Sequence, residues 1–474
     1  MNISLHNIQL DGTLQDYLYA VAQQTGGLRD MKAAAISTFI EENCPELGAT
    51  ERRNFSSWLK DVVDGVPISS NMPSHNLPFQ RWYRFKEAFS PLMVAESLSC
   101  LGFWPSTCLD CFGGSGTTAL TCQFLGIEST SIEVNPFLAD LIEAKLSKYD
   151  HASLIDDFAG VVKKMSTRSA TLRSIRYESW PATMVEPGLK DRWIFPRETF
   201  RRILTIREAI DEITNPVNQR LLRVLLGSIL IDMSNVVISG KGRRYRSNWQ
   251  ATQKSPRDVS VAFQAAFQAA LFDISAHGAR ACESYRLLRG DSRVEVDKVG
   301  QVDVALFSPP YPNSFDYTDI YNVELWVLGY LKSRADNTEL RSSTLRSHVQ
   351  IHRDMSWEGL DSRKLRQTVK ALTKRRAQLW DPHLPDMIGA YFADLVQILK
   401  SVRGKMNPEG AVLMTVGDSR YADVLIDVGD ILRELAEGAG YVCEAVTPIR
   451  AMKTSAQQGW QASLSEDLVR LRPA

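Results

Sequence analysis

The sequence contains little that would direct the chain to a membrane or to a polyanion. Its 474 residues include 55 basic and 55 acidic side chains, so no net charge draws the whole chain toward nucleic acid. The N-terminus lacks a basic start followed by an apolar stretch, and the most apolar run, residues 221–231, is interrupted by Arg223. We therefore expect neither a signal peptide nor a membrane partner, and a nucleic-acid site must be a local concentration of Lys and Arg.

Cysteine is scarce and scattered. The seven cysteines are odd in number, which suits a reducing environment better than a disulfide framework, and we expect a cytoplasmic protein. Cys108 and Cys111 form one Cys-x-x-Cys pair, but the sequence has no second pair to complete a tetrahedral site. We therefore predict no metal.

The pattern of apolar residues indicates one α/β sheet that is interrupted twice. A strand, a glycine-rich turn, a helix and a second strand follow one another between about residues 99 and 136, and strand character resumes at 302–307, 411–416, 441–446 and 467–472. Two unrelated domains are the alternative, but they would leave the first half-sheet without a partner for its edge. We predict a helical N-terminal segment at 1–75, sheet-domain segments at 76–150, 281–330 and 386–474, and mainly helical insertions at 151–280 and 331–385.

The glycine-rich turn at 110–118 lies where the chain leaves the first strand and enters a helix. Glycine permits the positive φ of a tight turn and lets a ligand approach the backbone, and the free N–H groups of the helix favour an anionic group. The sequence lacks Gly-Lys-Ser/Thr there, which argues against a nucleoside-triphosphate cradle. The second strand ends in Glu133, which can accept both hydrogen bonds from a ribose diol. A structural turn and a surface glutamate are the alternatives, but together the two features favour a cofactor that carries a nucleoside.

Residues 110–118 resemble the motif DxFxGSGTT of the S-adenosylmethionine-dependent amino-methyltransferases of DNA, and residues 132–136 resemble the acidic motif that follows it. Residues 84–91 are similar to the segment that closes over the methionine end of the cofactor. Residues 290–292 precede a strand, as the third cofactor motif of that family does. The resemblance covers about 76–150, 281–325 and, more loosely, 386–474, and it implies a Rossmann-like class I methyltransferase sheet that binds S-adenosylmethionine.

The resemblance also implies which side chains contact this cofactor. Asp291 would accept a hydrogen bond from the adenine amino group, and Glu133 would bind the ribose. The complete set of predicted cofactor-binding residues is Phe89, Ser90, Asp110, Phe112, Gly114, Ser115, Gly116, Thr117, Thr118, Glu133, Asn135, Asp291 and Ser292.

The tetrapeptide Ser-Pro-Pro-Tyr at 308–311 directly follows a predicted strand and so lies at the carboxyl edge of the sheet beside the glycine-rich turn. An exocyclic amine of a base is a poor nucleophile because its lone pair is delocalised into the ring. The Ser308 hydroxyl and the Pro309 carbonyl can accept its two hydrogens and stabilise the positive charge that develops during methyl transfer. Pro309 and Pro310 would hold that carbonyl rigid, and Tyr311 would stack on a flipped base. A rigid loop with a packing tyrosine is the alternative.

The serine of this tetrapeptide bears on which base is modified. In the family that the chain resembles, Ser-Pro-Pro-Tyr goes mainly with N4 of cytosine and Asp-Pro-Pro-Tyr with N6 of adenine. We therefore expect a site-specific DNA methyltransferase for cytosine N4, acting in restriction–modification or phage defence. The motif order most resembles the alpha arrangement, which more often carries Asp at position 308, so N6-adenine transfer stays open. Methylation of an RNA base and a non-catalytic protein that only binds nucleic acid stay open as well.

Residues 240–257 contain six basic side chains and no acidic one, with two aromatic residues interleaved. Arginine can contact phosphates or read guanine, and aromatic rings can stack or wedge. A solvated basic loop is the alternative. The residues that we predict to contact DNA are Lys241, Arg243, Arg244, Tyr245, Arg246 and Trp249, whereas the basic helix predicted at 362–376 is more typical of a solvated face.

Overall fold

The computed structural model describes residues 47–59, 76–85, 88–170, 180–239, 242–313, 315–453 and 463–474. Most of the segment predicted at 1–75 therefore lies outside the described residues. The strands are β1 (Thr107–Asp110), β2 (Glu128–Glu133), β3 (Val236–Ser239), β4 (Gly242–Tyr245), β5 (Tyr285–Arg289), β6 (Val302–Phe307), β7 (Met406–Gly417), β8 (Ser419–Tyr421), β9 (Val424–Ile426), β10 (Tyr441–Lys453) and β11 (Ser463–Pro473).

The helices cover both faces of the sheet and also build the segments between its strands. They are α1 (Ala49–Leu59), α2 (Pro91–Ser99), α3 (Thr117–Leu125), α4 (Pro136–Leu146), α5 (His151–Thr167), α6 (Arg197–Asp211), α7 (Pro216–Ile229), α8 (Pro256–His277), α9 (Ser292–Glu295), α10 (Tyr317–Ile320), α11 (Asn322–Val327), α12 (Arg334–Ser342), α13 (Arg363–Lys374), α14 (Leu384–Arg403) and α15 (Val428–Ala436).

The main sheet has seven strands in the order β10-β11-β7-β6-β1-β2-β5. The strands from β5 to β7 run parallel, whereas β11 is antiparallel to both of its neighbours. The chain moves outward from β1 through β2 to β5 and then returns to β6 on the other side of β1. This reversal creates a crevice at the carboxyl ends of β1 and β6, where α/β sheets bind ligands. The prediction of a Rossmann-like α/β sheet is confirmed.

Strand β6 shows why the predicted strands read as continuous apolar runs. Val304 and Leu306 point into one hydrophobic core, and Ala305 and Phe307 point into the core on the other face. Alternate side chains of a strand face opposite sides, so a strand covered by helices on both faces needs apolar residues at every position. The end of β6 is therefore fixed firmly where residues 308–311 begin.

The stretch predicted as the first insertion contains α5 to α8 and the hairpin β3–β4. Helix α8 packs on α6 and α7 and buries Phe263 and Phe267, and Phe267 stacks on Phe158 of α5. Helix α8 is long and apolar enough to cross a membrane by length and composition alone, a test that a core helix also passes. The second predicted insertion contains α12 and α13, and its boundaries, like those of the other segments, stay predictions.

Buried Asp273 of α8 ties the first insertion to the segment before α2. Its carboxylate accepts hydrogen bonds from the Phe79 backbone N–H (2.9 Å), from Trp82 Nε1 (2.9 Å) and from Arg81 Nε (3.1 Å). The Asp273 side chain is fully buried, and Arg81 supplies its ion-pair partner. Helix α8, which is not part of the sheet, therefore fixes the position of residues 79–82.

The strand at one edge of the sheet differs from the prediction. Residues 290–292 precede strand β6, as predicted, but they also directly follow strand β5, which was not predicted, and begin helix α9. Strand β5 lies at the sheet edge and is only half buried, so it carries Arg286 and Arg289 and lacks the apolar run of a central strand. The hairpins β3–β4 and β8–β9 were not predicted either, because each strand has only three or four residues.

Candidate active site

A cavity at the carboxyl edge of the sheet is lined both by the turn at 110–118 and by residues 308–311. The expectation that these two distant segments share one crevice is confirmed. Segment 343–348, within the second predicted insertion, supplies another part of the wall. The predicted cofactor-binding residues that line the cavity are Phe89, Asp110, Phe112, Gly114, Ser115, Thr117, Thr118, Glu133, Asn135, Asp291 and Ser292, and all four predicted catalytic residues, Ser308, Pro309, Pro310 and Tyr311, line it too.

Two predicted cofactor-binding residues do not line the cavity. Gly116 has φ 77° at the start of α3, and a Cβ there would lie 3.1 Å from Ile142 Cγ1, so this glycine lets the turn pack against α4. Ser90 is fully buried, and its side chain caps α2 by accepting the Met93 N–H at 3.3 Å. The pair Ser90-Pro91 is the usual signal of a helix start, which explains this placement.

Glu133 joins the end of β2 to the glycine-rich turn. One carboxylate oxygen accepts the Gly114 N–H and the other accepts the Asn135 N–H, both at 2.7 Å. Burial raises the pKa of Glu133 to about 7, although these backbone hydrogen bonds oppose the shift. Each oxygen keeps a lone pair for a ligand hydroxyl, so the carboxylate can serve both the turn and a diol.

Asp110 and Asp291 are the other two acids of the predicted cofactor site. Asp110 accepts the Phe112 N–H at 2.9 Å, and burial raises its pKa to about 6. Asp291 is already engaged: it caps α9 and pairs with Arg293, whose Nη2 lies 2.6 Å from Oδ2. Arg293 also donates to Asp394 at 3.1 Å, so Asp291 is held in a fixed ion-pair network.

A buried lysine stabilises the glycine-rich turn. Lys145 of α4 is fully buried, and its ammonium donates to the Ser115 carbonyl (2.7 Å) and to Gln80 Oε1 (3.0 Å). Burial lowers the pKa of Lys145 to about 7. In the sequence Lys145 looks like an ordinary helix residue, so no local signal identifies this contact.

Tyr311 is anchored by a carboxylate from the far end of the chain. Its hydroxyl donates to Glu466 Oε1 at 2.7 Å, and burial, followed by the charge of Glu466, raises the pKa of Tyr311. Glu466 in turn accepts two hydrogen bonds from Arg450, and both residues line the cavity. The Tyr421 hydroxyl of hairpin β8–β9 donates to the Pro312 carbonyl at 3.0 Å and supports the loop from the other side.

Part of the predicted second insertion forms the opposite wall. His348 is buried in this wall, its Nε2 lies 3.3 Å from Thr344 Oγ1, and burial lowers its pKa to about 4. The imidazole is therefore neutral at pH 7. Neighbouring Asp316 accepts the Arg341 Nε–H at 2.7 Å, which joins helix α12 to the loop that follows the tetrapeptide.

The predicted DNA-contacting residues divide between the surface and the interior. Arg244 is exposed on β4, and Arg243 lies 3.5 Å from Asp319 of α10, next to Tyr317 and Thr318 in the cavity wall. Half-buried Tyr245 completes β4. Lys241 lies outside the described residues.

Trp249 points inward, contrary to expectation, and Arg246 is bound to the backbone of its own domain. Arg246 donates to the carbonyls of Ile231 (2.9 Å) and Ser234 (3.1 Å) beyond the end of α7, and its side chain stays 31% exposed. Trp249 is buried edge-on against Trp193, with ring centroids 4.8 Å apart. Charge and aromatic content alone could not separate buried Trp249 and backbone-bound Arg246 from Arg244.

The chain is similar to curated methyltransferases, although no family model matches it. It is similar to the Type II methyltransferase M.AvaI of Nostoc sp. and that of Anabaena variabilis, each 25% identical over 82% of this chain and 85% of the relative. The Type II methyltransferase M.BsoBI of Geobacillus stearothermophilus is 23% identical over 82% of this chain and 84% of its own length.

Two solved structures of the rRNA methyltransferase aviRa from Streptomyces viridochromogenes also align with the chain. Both are 12% identical, with TM-scores of 0.25 and 0.26, and they cover 81% and 86% of this chain and 85% and 91% of their own. Overlap this small carries no information about the substrate. The sheet and the curated relatives together show an S-adenosylmethionine-dependent methyltransferase.

Proposed function

We propose that this S-adenosylmethionine-dependent methyltransferase modifies DNA, by methylating the exocyclic N4 of cytosine at specific sites. The observation that carries the proposal is that the Ser-Pro-Pro-Tyr loop and the glycine-rich turn line one cavity. Similarity to proteins named Type II methyltransferases favours DNA as the substrate and restriction–modification or phage defence, in the cytoplasm, as the setting.

The residues around the turn fit the cofactor. Glu133 is a buried carboxylate with lone pairs for the ribose hydroxyls, and Gly114, at φ 51°, has no side chain to fill the space in front of the turn. Asp110 adds a carboxylate suited to the ammonium group of the methionine end. When bound, the cofactor supplies an electrophilic methyl group on a sulfonium.

The chain's own residues would prepare the base for this methyl group. The Ser308 hydroxyl and the Pro309 carbonyl accept the two amino hydrogens, which draws the nitrogen lone pair out of conjugation and stabilises the charge that develops on it. Tyr311 stacks on the base, and its hydrogen bond to Glu466 fixes the ring in the cavity wall. Stacking contributes about 1 to 3 kcal/mol, comparable to the few kcal/mol that flipping a base out of a duplex costs.

A label-transfer experiment tests the proposed function. The protein is incubated with labelled S-adenosylmethionine and mixed-sequence duplex DNA, and the DNA is then digested to nucleosides. We expect label in N4-methylcytosine. Label only in N6-methyladenine would overturn the choice of base, and label that moves to structured RNA when RNA competes with duplex DNA would overturn the choice of nucleic acid.

We expect cofactor affinity to fall as the pH drops through about 7. Below its pKa of about 7, Glu133 takes up a proton and becomes a poorer acceptor for the ribose hydroxyls. The affinity of the wild type relative to Glu133→Gln should decrease by up to about tenfold between about pH 8 and about pH 6. Titration calorimetry with S-adenosylmethionine measures both proteins, and taking their ratio cancels protonation of the ligand. A ratio that does not change with pH would contradict the role of Glu133.

Arg244 should contribute one phosphate contact. Its side chain is exposed on β4, so we expect Arg244→Gln to reduce the log–log salt slope of duplex binding by about 0.9. Arg366 on α13 is the matched control, because it is an exposed arginine paired with Asp361, and Arg366→Gln should leave the slope unchanged. Fluorescence anisotropy at several salt concentrations gives the slopes. Equal slopes for Arg244→Gln and the wild type would contradict a DNA-binding surface on β4.

A further inference from the structure

Arg450 and Glu466 form a charged pair in the wall of the cavity. They lie directly opposite each other on the antiparallel strands β10 and β11, and both line the cavity that holds Tyr311. The Glu466 side chain is 3% exposed and that of Arg450 is 28% exposed. The pair therefore places a guanidinium in the wall of the same cavity as the ring proposed to stack on the base.

The hydrogen bonds within this pair leave one edge of the guanidinium open. Arg450 Nε donates to Glu466 Oε2 at 2.6 Å, and Nη2 donates to Oε1 at 3.1 Å. A guanidinium has five N–H donors in a planar fork. Nη1 donates to no acceptor within the described part of the chain, so the Nη1–Nη2 edge keeps two parallel donors.

Glu466 fixes the direction of these donors relative to Tyr311. The same carboxylate oxygen, Oε1, accepts both the Tyr311 hydroxyl and Arg450 Nη2. A second arginine–glutamate cluster on the same strands, Arg470 and Arg472 with Glu444, lies outside the cavity. Strands β10 and β11 therefore have a cross-strand ion pair without Arg450. Strand pairing alone does not explain why Arg450 lies in the cavity wall.

We propose that Arg450 determines base specificity by donating from its open edge to N3 and O2 of the target cytosine. Cytosine presents in a row an amino group, the acceptor N3 and the acceptor O2. Ser308 and Pro309 would take the amino group at one end of this row, and the fork of Arg450 would match the two acceptors at the other end. Adenine presents one acceptor, N1, next to a C–H, so one donor of the fork would stay unpaired. This inference rests on the proposed cytosine-N4 activity.

The test combines a base analogue that lacks N3 with a protein variant that lacks the guanidinium of Arg450. Methylated positions are first mapped by sequencing, and duplexes are then made with either cytosine or 3-deazacytosine, which keeps the amine and O2, at the target position. For the wild type, kcat/KM should fall about 10- to 100-fold on the analogue. Arg450→Met should show a similar loss on cytosine, and less than about threefold further loss on the analogue.

Controls separate reading of the base from support of the fold. Arg470→Met removes a comparable arginine from the same strands outside the cavity and should keep the full wild-type response to the analogue. If Arg450→Met loses cofactor affinity, Arg450→Lys is tested in its place. Lysine keeps the positive charge but lacks the planar fork of donors. Arg450→Lys should therefore retain cofactor affinity and respond only weakly to the analogue.

Two results would count against the inference, and they differ from each other. If Arg450→Met or Arg450→Lys responds to the analogue as strongly as the wild type does, Arg450 does not contact N3, although the cytosine activity stands. If the wild type forms no N4-methylcytosine in any duplex, the proposed function itself is wrong and the inference fails with it.

Discussion

Replacing Ser308 by alanine is expected to lower kcat by about 10²- to 10³-fold while leaving the affinity for S-adenosylmethionine unchanged. Ser308 lines the cavity at the end of β6, on the side formed by the loop rather than by the glycine-rich turn. An acceptor that strengthens only as charge develops on the amine contributes to the transition state more than to the ground state. The loss should therefore appear in kcat and not in KM.

Single-turnover kinetics with labelled cofactor measure this effect directly. Ser343→Ala is the matched control, because Ser343 also lines the cavity but its hydroxyl already donates to the Glu339 carbonyl of α12. The control should stay within about threefold of the wild-type rate. A Ser308→Ala protein that turns over as fast as the wild type would contradict the catalytic role of Ser308 and would support a packing role for the tetrapeptide.

Replacing Asp273 by alanine is expected to lower the free energy of unfolding by about 3 to 5 kcal/mol. The buried carboxylate accepts from the Phe79 backbone, the Trp82 indole and the Arg81 guanidinium. Alanine would leave these donors without an acceptor inside the protein, and an unpaired buried donor costs more than the lost hydrogen bond itself.

Chemical denaturation monitored by fluorescence tests this prediction. Asp273→Asn keeps one carbonyl oxygen and should lose less stability than Asp273→Ala. Asp361 is the control, because its pair with Arg366 is on the surface, and Asp361→Ala should change the free energy of unfolding by less than about 1 kcal/mol. If Asp273→Ala costs no more than this control, α8 does not hold residues 79–82 in place.

The sheet and the cavity could be predicted from sequence because their signals are local. Strand β6 has apolar residues along its length and ends at Ser308, so its position and the edge at which Ser308 lies follow from neighbouring residues. The turn at 110–118 is also a local signal, since glycines stand where a strand passes into a helix. The placement of both segments at one edge follows from the parallel sheet, because the carboxyl ends of parallel strands lie at the same edge, whereas the strand order was not predicted.

Some contacts could not be predicted from the sequence. They join residues that are far apart in the chain, or they depend on the surrounding tertiary structure. Glu466 meets Tyr311 and Arg450 only because β11 lies between β7 and β10, and no pattern near Glu466 indicates these partners. Arg246 and Arg244 are two positions apart, yet Arg246 donates to backbone carbonyls and Arg244 is exposed to solvent. Such choices depend on tertiary packing, which composition does not encode.

The position of β11 has a consequence for the newly made chain. Translation delivers β11 after every other described strand, yet β11 occupies the interior of the sheet and supplies Glu466. While the ribosome still holds residues 463–473, β7 has an open edge and Tyr311 lacks its carboxylate partner. A nascent chain that has not yet released β11 therefore cannot assemble the complete site, and the pocket forms only after β11 has left the ribosome.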